Sequence, residues 1–459
     1  MKIQDYLAKL RGKRVGLLGF GVSNAPLAGM LLRAGAAVTV YDKKNVAELG
    51  AAALALCDQG VRFICGEGHA DKIDDELLFR SPGFLPTQPA LKRAAANGTC
   101  ITSEMALFFE CCPCKIVGIT GSDGKSTTST VTAKLLERHG RHVWLGGNLG
   151  TPLAPKLEEI APTDVAVVEL SSFQLMDMDR SPDVAIVTNV APNHLDKHTD
   201  MAEYVEAKRA IFAHQSAEGL LVANYDNAIT RTFLEAAPGR MRPFSRKNAC
   251  ENGVLLRNGV ITLVESGTER PILETARIKL PGNHNVENYM AAIGAVCGCM
   301  ENEEIADVAE TFGGVVHRME FVRELDSVRY YNSSIDSSPT RTIAALSVFD
   351  CGINIILGGS DKGISFAELG EELCRKAKRI FLAGATADAI EAAVRSAKGY
   401  AEGKPQIVRT GSVCEAVTAA HKLAERGEVV LLSPACASFD AFKNFEERGE
   451  VFKAAVRAL

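Results

Sequence analysis

Along most of the chain, short runs of β-branched and aliphatic residues alternate with longer stretches whose apolar positions recur every three or four residues. The first pattern predicts buried strands and the second predicts helices packed on them. Arg14-Val15-Gly16-Leu17-Leu18-Gly19 reads as a strand, residues 25–33 as the helix behind it, and Val38-Thr39-Val40-Tyr41-Asp42 as the next strand. The rhythm returns with strands at 115–120, 165–169, 184–189, 353–357, 380–383, 406–409 and 429–433. Strands alternating with helices build right-handed βαβ units, so the expected fold class is α/β with mostly parallel sheets.

Two interruptions punctuate this rhythm. Cys111-Cys112-Pro113-Cys114 ends a helix-like stretch and precedes a fresh strand, and Phe312-Gly313-Gly314-Val315 follows a helical region containing residues 285–300. Between residues 244 and 278, Asn252-Gly253 and Asn258-Gly259 are turn signals among short strand-like runs, which predicts a hairpin excursion inside the middle domain. A chain of 459 residues has room for about three domains. The breaks place them at 1–113, 114–315 and 316–459.

Composition narrows the class without naming a function. Hydrophobic residues make up 47% and charged residues 23%, the mix of a globular protein with several cores. The net charge of −5 argues against a general attraction to nucleic acid or acidic lipid, although local basic sites for small anions stay open. Thirteen cysteines, an odd number in no repeating frame, point to free thiols rather than a disulfide scaffold. The charged start Met1-Lys2-Ile3-Gln4-Asp5-Tyr6 does not resemble a signal peptide, and no uncharged run is long enough to cross a bilayer. The expectation is a cytoplasmic protein with neither a nucleic-acid nor a membrane partner.

The clearest motif is Gly118-Ile119-Thr120-Gly121-Ser122-Asp123-Gly124-Lys125-Ser126, followed by Thr127. It matches G-x-x-x-x-G-K-[ST], in which backbone N–H groups cradle phosphates, the lysine adds charge and the serine hydroxyl can ligate Mg²⁺. A strand precedes it and a helix follows, so a nucleoside triphosphate site is expected. Gly19-Phe20-Gly21-Val22-Ser23-Asn24 is a partial G-x-G-x-x-G with Asn24 at the third glycine, and Asp42 ends the next strand. Taken alone it fits a dinucleotide, another nucleoside diphosphate or merely a tight turn.

Glu169 ends a strand near the P-loop and could hold Mg²⁺. His194, in Asn193-His194-Leu195-Asp196, is a candidate second-metal ligand or a plain loop hydrogen-bonder. Lys208 shares a helix face with Tyr204 and Phe212. By position alone it reads as an ordinary lysine with its ammonium in solvent. Asn285 and Asn288 open a small-residue helix, where their amides could read a purine edge or cap the helix. Arg318 sits at the second break. Near the C-terminus, Ser433-Pro434-Ala435-Cys436-Ala437-Ser438-Phe439-Asp440 turns a strand into a helix through small residues. No histidine nearby would activate Cys436, and the 111–114 cysteines have no second pair to complete a zinc site.

Together these blocks, with Gly146-Gly147-Asn148-Leu149-Gly150, Glu169-Leu170-Ser171-Ser172-Phe173-Gln174-Leu175, residues 282–288, His317-Arg318 and residues 432–449, resemble the ATP-dependent Mur ligases of peptidoglycan synthesis. The run at 432–449 is typical of the members that add D-glutamate. The resemblance implies a Rossmann-like UDP-binding domain, a central P-loop ATPase-type domain and a C-terminal Rossmann-like domain. It implies a monomer that uses ATP and Mg²⁺ to join UDP-N-acetylmuramoyl-L-alanine to D-glutamate through an acyl phosphate. By the same resemblance, Lys125, His194 and Lys208 are catalytic. ATP contacts fall on Gly118, Gly121, Ser122, Asp123, Gly124, Lys125, Ser126, Thr127, Asn285, Asn288 and Arg318. Metal ligands fall on Ser126, Glu169, His194 and a carbamylated Lys208. Ser23, Asp42 and Asn148 would contact the UDP substrate, so the partial fingerprint becomes a UDP pocket. Lys362, Ser438, Phe439 and Phe445 would contact the amino acid. Two departures stand out. Ser333 and Ile335 occupy positions where the family often has Asp and Lys, so neither role is carried over, and Asn193 replaces a common Asp.

Overall fold

Each stretch of alternating strands and helices closes on a sheet of its own in the computed structural model, which describes the chain except residues 177, 194–196 and 362–363. The first sheet contains β1 (Arg14–Leu18), β2 (Ala37–Asp42), β3 (Arg62–Cys65), β4 (Leu77–Arg80) and β5 (Cys100–Thr102), all parallel, in the order β3-β2-β1-β4-β5. The direction of winding reverses between β1 and β4. The crevice at the carboxyl ends of such a pair is where open α/β sheets take ligands.

The second sheet holds β6 (Lys115–Thr120), β7 (Val143–Gly147), β8 (Val165–Glu169), β9 (Val184–Val187), β10 (Leu220–Asn224), β11 (Arg240–Ser245), β12 (Gly253–Arg257), β13 (Val260–Glu265) and β14 (Thr268–Glu274). Their order is β14-β13-β12-β11-β10-β9-β6-β8-β7. Strands β6 to β11 are parallel, and β6, β8, β9 and β10 are buried along nearly their whole length, which is why these four read as largely apolar runs. The expected hairpin excursion is corrected in one respect. β12 pairs parallel with β11 through Phe244↔Val254, so β12, β13 and β14 extend the same sheet rather than leaving it. The Asn258-Gly259 turn joins β12 to β13 with both residues at positive φ, 48° and 80°, as a two-residue hairpin requires.

The third sheet runs β15-β16-β20-β17-β18-β19, where β15 (Glu320–Leu325) and β16 (Val328–Asn332) are antiparallel. β17 (Ile353–Leu357), β18 (Ala377–Leu382), β19 (Gln406–Arg409) and β20 (Val429–Leu432) are parallel to β16. The chain packs as two compact units. One comprises Met1–Ile278 with His284–Glu310 and carries the first two sheets; the other comprises Lys279–Asn283 with Thr311–Leu459 and carries the third. All thirteen cysteines are free thiols. Among the described residues, no helix is long and apolar enough to cross a membrane.

Candidate active site

The register of the second sheet gathers the chemistry at one edge. Ile119 pairs with Glu169 and Thr120 with Val187, so the P-loop leaves β6 beside the carboxyl ends of β8 and β9. The loop passes into the helix Lys125–Arg138 through Gly124 at φ 81°. A Cβ on Gly124 would stand 2.3 Å from Asn288 Oδ1, and one on Gly121 would stand 1.9 Å from Thr188 Oγ1. Neither position admits a side chain without displacing the residues that brace the loop.

That brace comes from residues the sequence did not single out. Thr188 Oγ1 donates to Asp123 O at 2.6 Å, and Asn189 Nδ2 donates to the same carbonyl at 3.1 Å. The Asp123 amide donates back to Asn189 Oδ1 at 3.0 Å, and the Ser122 amide to Asn189 O at 2.9 Å. Ser122 Oγ, buried, lies 2.9 Å from both Ala191 O and the Tyr204 hydroxyl. Asn189 ends a predicted strand, and a polar residue at a strand end was the one available signal.

Lys125 Nζ donates to Gly121 O and Ser122 O, each at 3.0 Å. Ser126 is buried in the first helical turn, and Thr127 lies beside it half-buried. Lys208 is the main correction to the positional reading. It lies on the helix Met201–Ala213 but is 1% exposed, and its Nζ donates to Gly121 O at 2.9 Å and Thr120 Oγ1 at 3.4 Å. The Nζ stands 4.7 Å from the centre of the Tyr204 ring. The helix face it shares with Tyr204 and Phe212 is the buried face. Burial first, and the Lys125 ammonium second, hold its pKa well below the usual lysine range.

Glu169 is 2% exposed at the end of β8. Its Oε1 accepts from Asn148 Nδ2 at 2.7 Å, while Oε2 is buried with no hydrogen-bond partner among the described residues. A buried carboxylate oxygen of this kind, on the strand next to the one that leads into the P-loop, fits a divalent cation. Asn148, expected to contact the UDP substrate, also orients Glu169. A second unforeseen residue is His198, 3% exposed, whose Nε2 lies 2.9 Å from Ser172 Oγ and whose Nδ1 lies 3.1 Å from Glu203 Oε1. Its ring stacks on Phe173 at 4.9 Å. It ties the residues after Glu169 to the start of the helix that carries Lys208. His194 lies outside the described residues.

Asn288 Oδ1 accepts from Thr128 Oγ1 at 3.2 Å, and its Nδ2 donates to Asn285 Oδ1 at 3.2 Å. Its amide thus helps hold the helix Asn283–Val296 to the P-loop helix.

In the first sheet, Asp42 is a loop anchor: it accepts from the Phe20 amide at 2.7 Å and the Lys44 amide at 2.9 Å. Ser23 stands half-buried at the N-cap of the helix Asn24–Arg33. The departure at Asn24 acquires a reason. Its side chain is fully buried and Nδ2 donates to Leu18 O, Gly19 O and Phe79 O at 3.2, 3.0 and 3.3 Å, joining the ends of β1 and β4.

In the unit built on the third sheet, Ser438 is buried, Phe439 is 72% exposed and Phe445 is half-buried, its ring centre 6.0 Å from that of His317 in an edge-to-face pair. Lys362 lies outside the described residues. Arg448, which sequence reading passed over, is 2% exposed and clamps this loop. Its guanidinium donates to Ser334 Oγ and O at 3.0 and 2.9 Å, and to Cys436 O and Ala437 O at 3.1 Å each. Burial lowers its pKa to about 10. Ser333 Oγ accepts from the Met319 amide at 3.1 Å, and the buried Asp336 carboxylate accepts from Ser433 Oγ at 2.8 Å. Burial raises Asp336 to about 6, and Arg318 nearby opposes that shift.

Residues 119–296 match the Mur ligase middle domain, and residues 317–436 match the Mur ligase glutamate ligase domain. The chain belongs to the Mur ligase family. It is 46% identical to the UDP-N-acetylmuramoylalanine--D-glutamate ligase of Acetivibrio thermocellus, over 100% of this chain and 99% of that one. It is 44% identical to the enzyme of the same name from Ruminiclostridium cellulolyticum, with the same coverage. Among solved structures it shares its fold with MurF from Acinetobacter baumannii, at TM-score 0.58 and 17% identity, covering 100% of this chain and 93% of that one. The UDP-N-acetylmuramate-alanine ligase of Thermotoga maritima matches at TM-score 0.57 and 16% identity, with 97% and 99% covered.

Proposed function

We propose that this Mur ligase joins the alanyl carboxylate of UDP-N-acetylmuramoyl-L-alanine to the amine of D-glutamate in the cytoplasm, converting ATP to ADP and phosphate. The observation that supports an ATP-driven ligase is the convergence of Lys125, Lys208, Ser126 and the half-paired Glu169 carboxylate on one P-loop. The choice of substrates is supported by the relatives' name at 46% and 44% identity over the full chain.

The reaction passes a phosphoryl group between anions. The carboxylate takes the γ-phosphoryl of ATP to form an acyl phosphate; the amine then adds, and the tetrahedral adduct expels phosphate to leave the amide. The P-loop amides and Lys125 supply positive charge where the transferred group gains negative charge. Ser126, Glu169 and His194 would hold Mg²⁺, and Lys208 would join them once carbamylated. Bound there, Mg²⁺ neutralises phosphate oxygens and fixes their orientation. The depressed pKa of Lys208 favours the neutral amine. Only that form attacks carbon dioxide, giving a carbamate and a proton. Asn148 and His198 hold Glu169 and the Lys208 helix in place. Gly118, Gly121, Ser122, Asp123, Gly124, Thr127, Asn285, Asn288 and Arg318 are assigned to ATP, Ser23, Asp42 and Asn148 to the UDP substrate, and Lys362, Ser438, Phe439 and Phe445 to D-glutamate. Domain boundaries at 113 and 315 go with this division of labour.

A phosphate-release assay tests it. UDP-N-acetylmuramoyl-L-alanine plus D-glutamate is expected to drive ADP formation that needs both substrates and Mg²⁺. No turnover with this pair, but turnover with another acceptor and amino acid, would overturn the substrate assignment. ATP binding without turnover on any pair would overturn the ligase reading.

A further inference from the structure

The Cys112-Pro113-Cys114 break is not absorbed by the ATP chemistry, although Cys114 lies in the hydrophobic core and Cys112 packs against it. The helix Glu104–Cys111 ends with Cys112 as its C-cap, in extended conformation, and Cys114 lies immediately before β6. The chain therefore turns about Pro113 and brings the two thiols together. Their sulfurs are 3.5 Å apart, and Cys112 Sγ also faces Cys114 O at 3.7 Å. Cys112 is half-buried, and Cys114 is 8% exposed, enough for a small solute but not for a bulky disulfide.

The contact makes the two thiols unequal. The S–H of Cys112 lowers the pKa of Cys114, and a hydrogen bond from the Ala166 backbone adds to this, although burial opposes it. The same contact and burial push Cys112 upward. Cys111 next door is 3% exposed and burial raises it to about 11, so it stays a thiol. Cys114 is thus the more acidic thiol of the pair, and the short S···S contact sets the two as an attacking and a resolving thiol.

We propose that Cys112 and Cys114 form a peroxide-reactive dithiol, with Cys114 attacking and Cys112 resolving. In the first step the Cys114 thiolate displaces hydroxide from hydrogen peroxide and becomes a sulfenic acid. In the second, the Cys112 sulfur displaces water from that sulfenic acid to close the disulfide. Overall, two thiols and one hydrogen peroxide give one disulfide and two waters; the sulfurs are oxidised and the peroxide is reduced. Closure requires the sulfurs to approach by about 1.5 Å, to a bond of about 2.05 Å. Cys112, half-buried where Cys114 is nearly enclosed, is the side of the pair with more room for that movement.

The test is independent of the ligase reading. The native full-length protein, fully reduced, is treated with hydrogen peroxide in slight excess, quenched, alkylated and mapped by mass spectrometry. The expected product has lost two hydrogens between Cys112 and Cys114 and returns to two alkylatable thiols with dithiothreitol. It forms at least about tenfold faster than oxidation at exposed Cys57, Cys100, Cys299 or Cys414. In Cys112→Ser, a sulfenic acid trapped by dimedone is expected on Cys114. Oxidation of the exposed thiols while the pair stays reduced would overturn the proposal. So would a sulfinic acid on Cys114 formed without a disulfide. A trapped sulfenic acid on any cysteine other than Cys114 would overturn the assignment of roles. The wild-type map decides the pairing by itself, should the variant fail to fold.

Discussion

Replacing Glu104 by Gln should stabilise the protein above neutral pH, because this carboxyl is buried where its charge is not wanted. Glu104 opens the helix Glu104–Cys111, is 4% exposed, and its Oε1 accepts from the Ala154 amide at 2.8 Å. Burial outweighs the two backbone donors it faces, at Ala154 and Leu153, and raises its pKa from 4.5 to about 7. A carboxyl whose pKa is higher folded than unfolded binds more protons in the folded state. Its penalty is absent well below pH 4.5 and complete above pH 7. The shift is worth about 3 kcal/mol at pH 8 and less than about 1 kcal/mol at pH 5.

Glutamine has no charge to bury, but its NH₂ cannot accept a hydrogen bond as the second carboxylate oxygen can, which costs about 1 kcal/mol at every pH. Glu104→Gln should therefore gain about 2 kcal/mol at pH 8 and nearly nothing at pH 5. Urea unfolding followed by the fluorescence of Trp144 measures this, because that residue is the sole tryptophan and lies in β7, in the unit that contains Glu104. The pH-dependent part is the decisive quantity, since the lost acceptor shifts both pH values alike. A difference between wild type and variant that is the same at pH 5 and pH 8 would refute the argument.

Three further outcomes follow from side chains described above. Lys208→Ala should reduce turnover by at least about a thousandfold, with partial rescue by short-chain carboxylic acids that occupy the carbamate position; turnover close to wild type would exclude the carbamate role. Asn24→Gly makes the fingerprint conform to its pattern yet removes a donor to three buried carbonyls, so it should cost about 2–4 kcal/mol and speed amide exchange in β1, measured by hydrogen exchange. Arg448→Lys keeps the charge but cannot span its four acceptors, and should raise the KM for D-glutamate about tenfold with a smaller change in kcat; unchanged kinetics would remove it from the positioning of the Ser438 loop.

What could be read from the sequence depended on how far apart the interacting residues lie. Strands buried on both faces appear as continuous apolar runs, and the P-loop keeps its chemistry within nine consecutive residues, so both were visible. Lys208 meets Gly121 across 87 positions, and its helix face was readable without revealing what that face covers. His198 and Asn189 act through neighbours 26 and 66 positions away, and no periodicity carries such information. The departures behave differently. Asn24 looked like a lost glycine, but its amide replaces backbone flexibility with a tie between two strand ends. Ser333 and Asp336 likewise bond to Met319 and Ser433 within their own unit. A polar residue that breaks a motif and is then found buried and donating to backbone carbonyls, as Asn24 is, is an architectural exchange. It bears on function only through the backbone it positions, which is why Asn24→Gly, the change that restores the motif, is predicted to harm the protein.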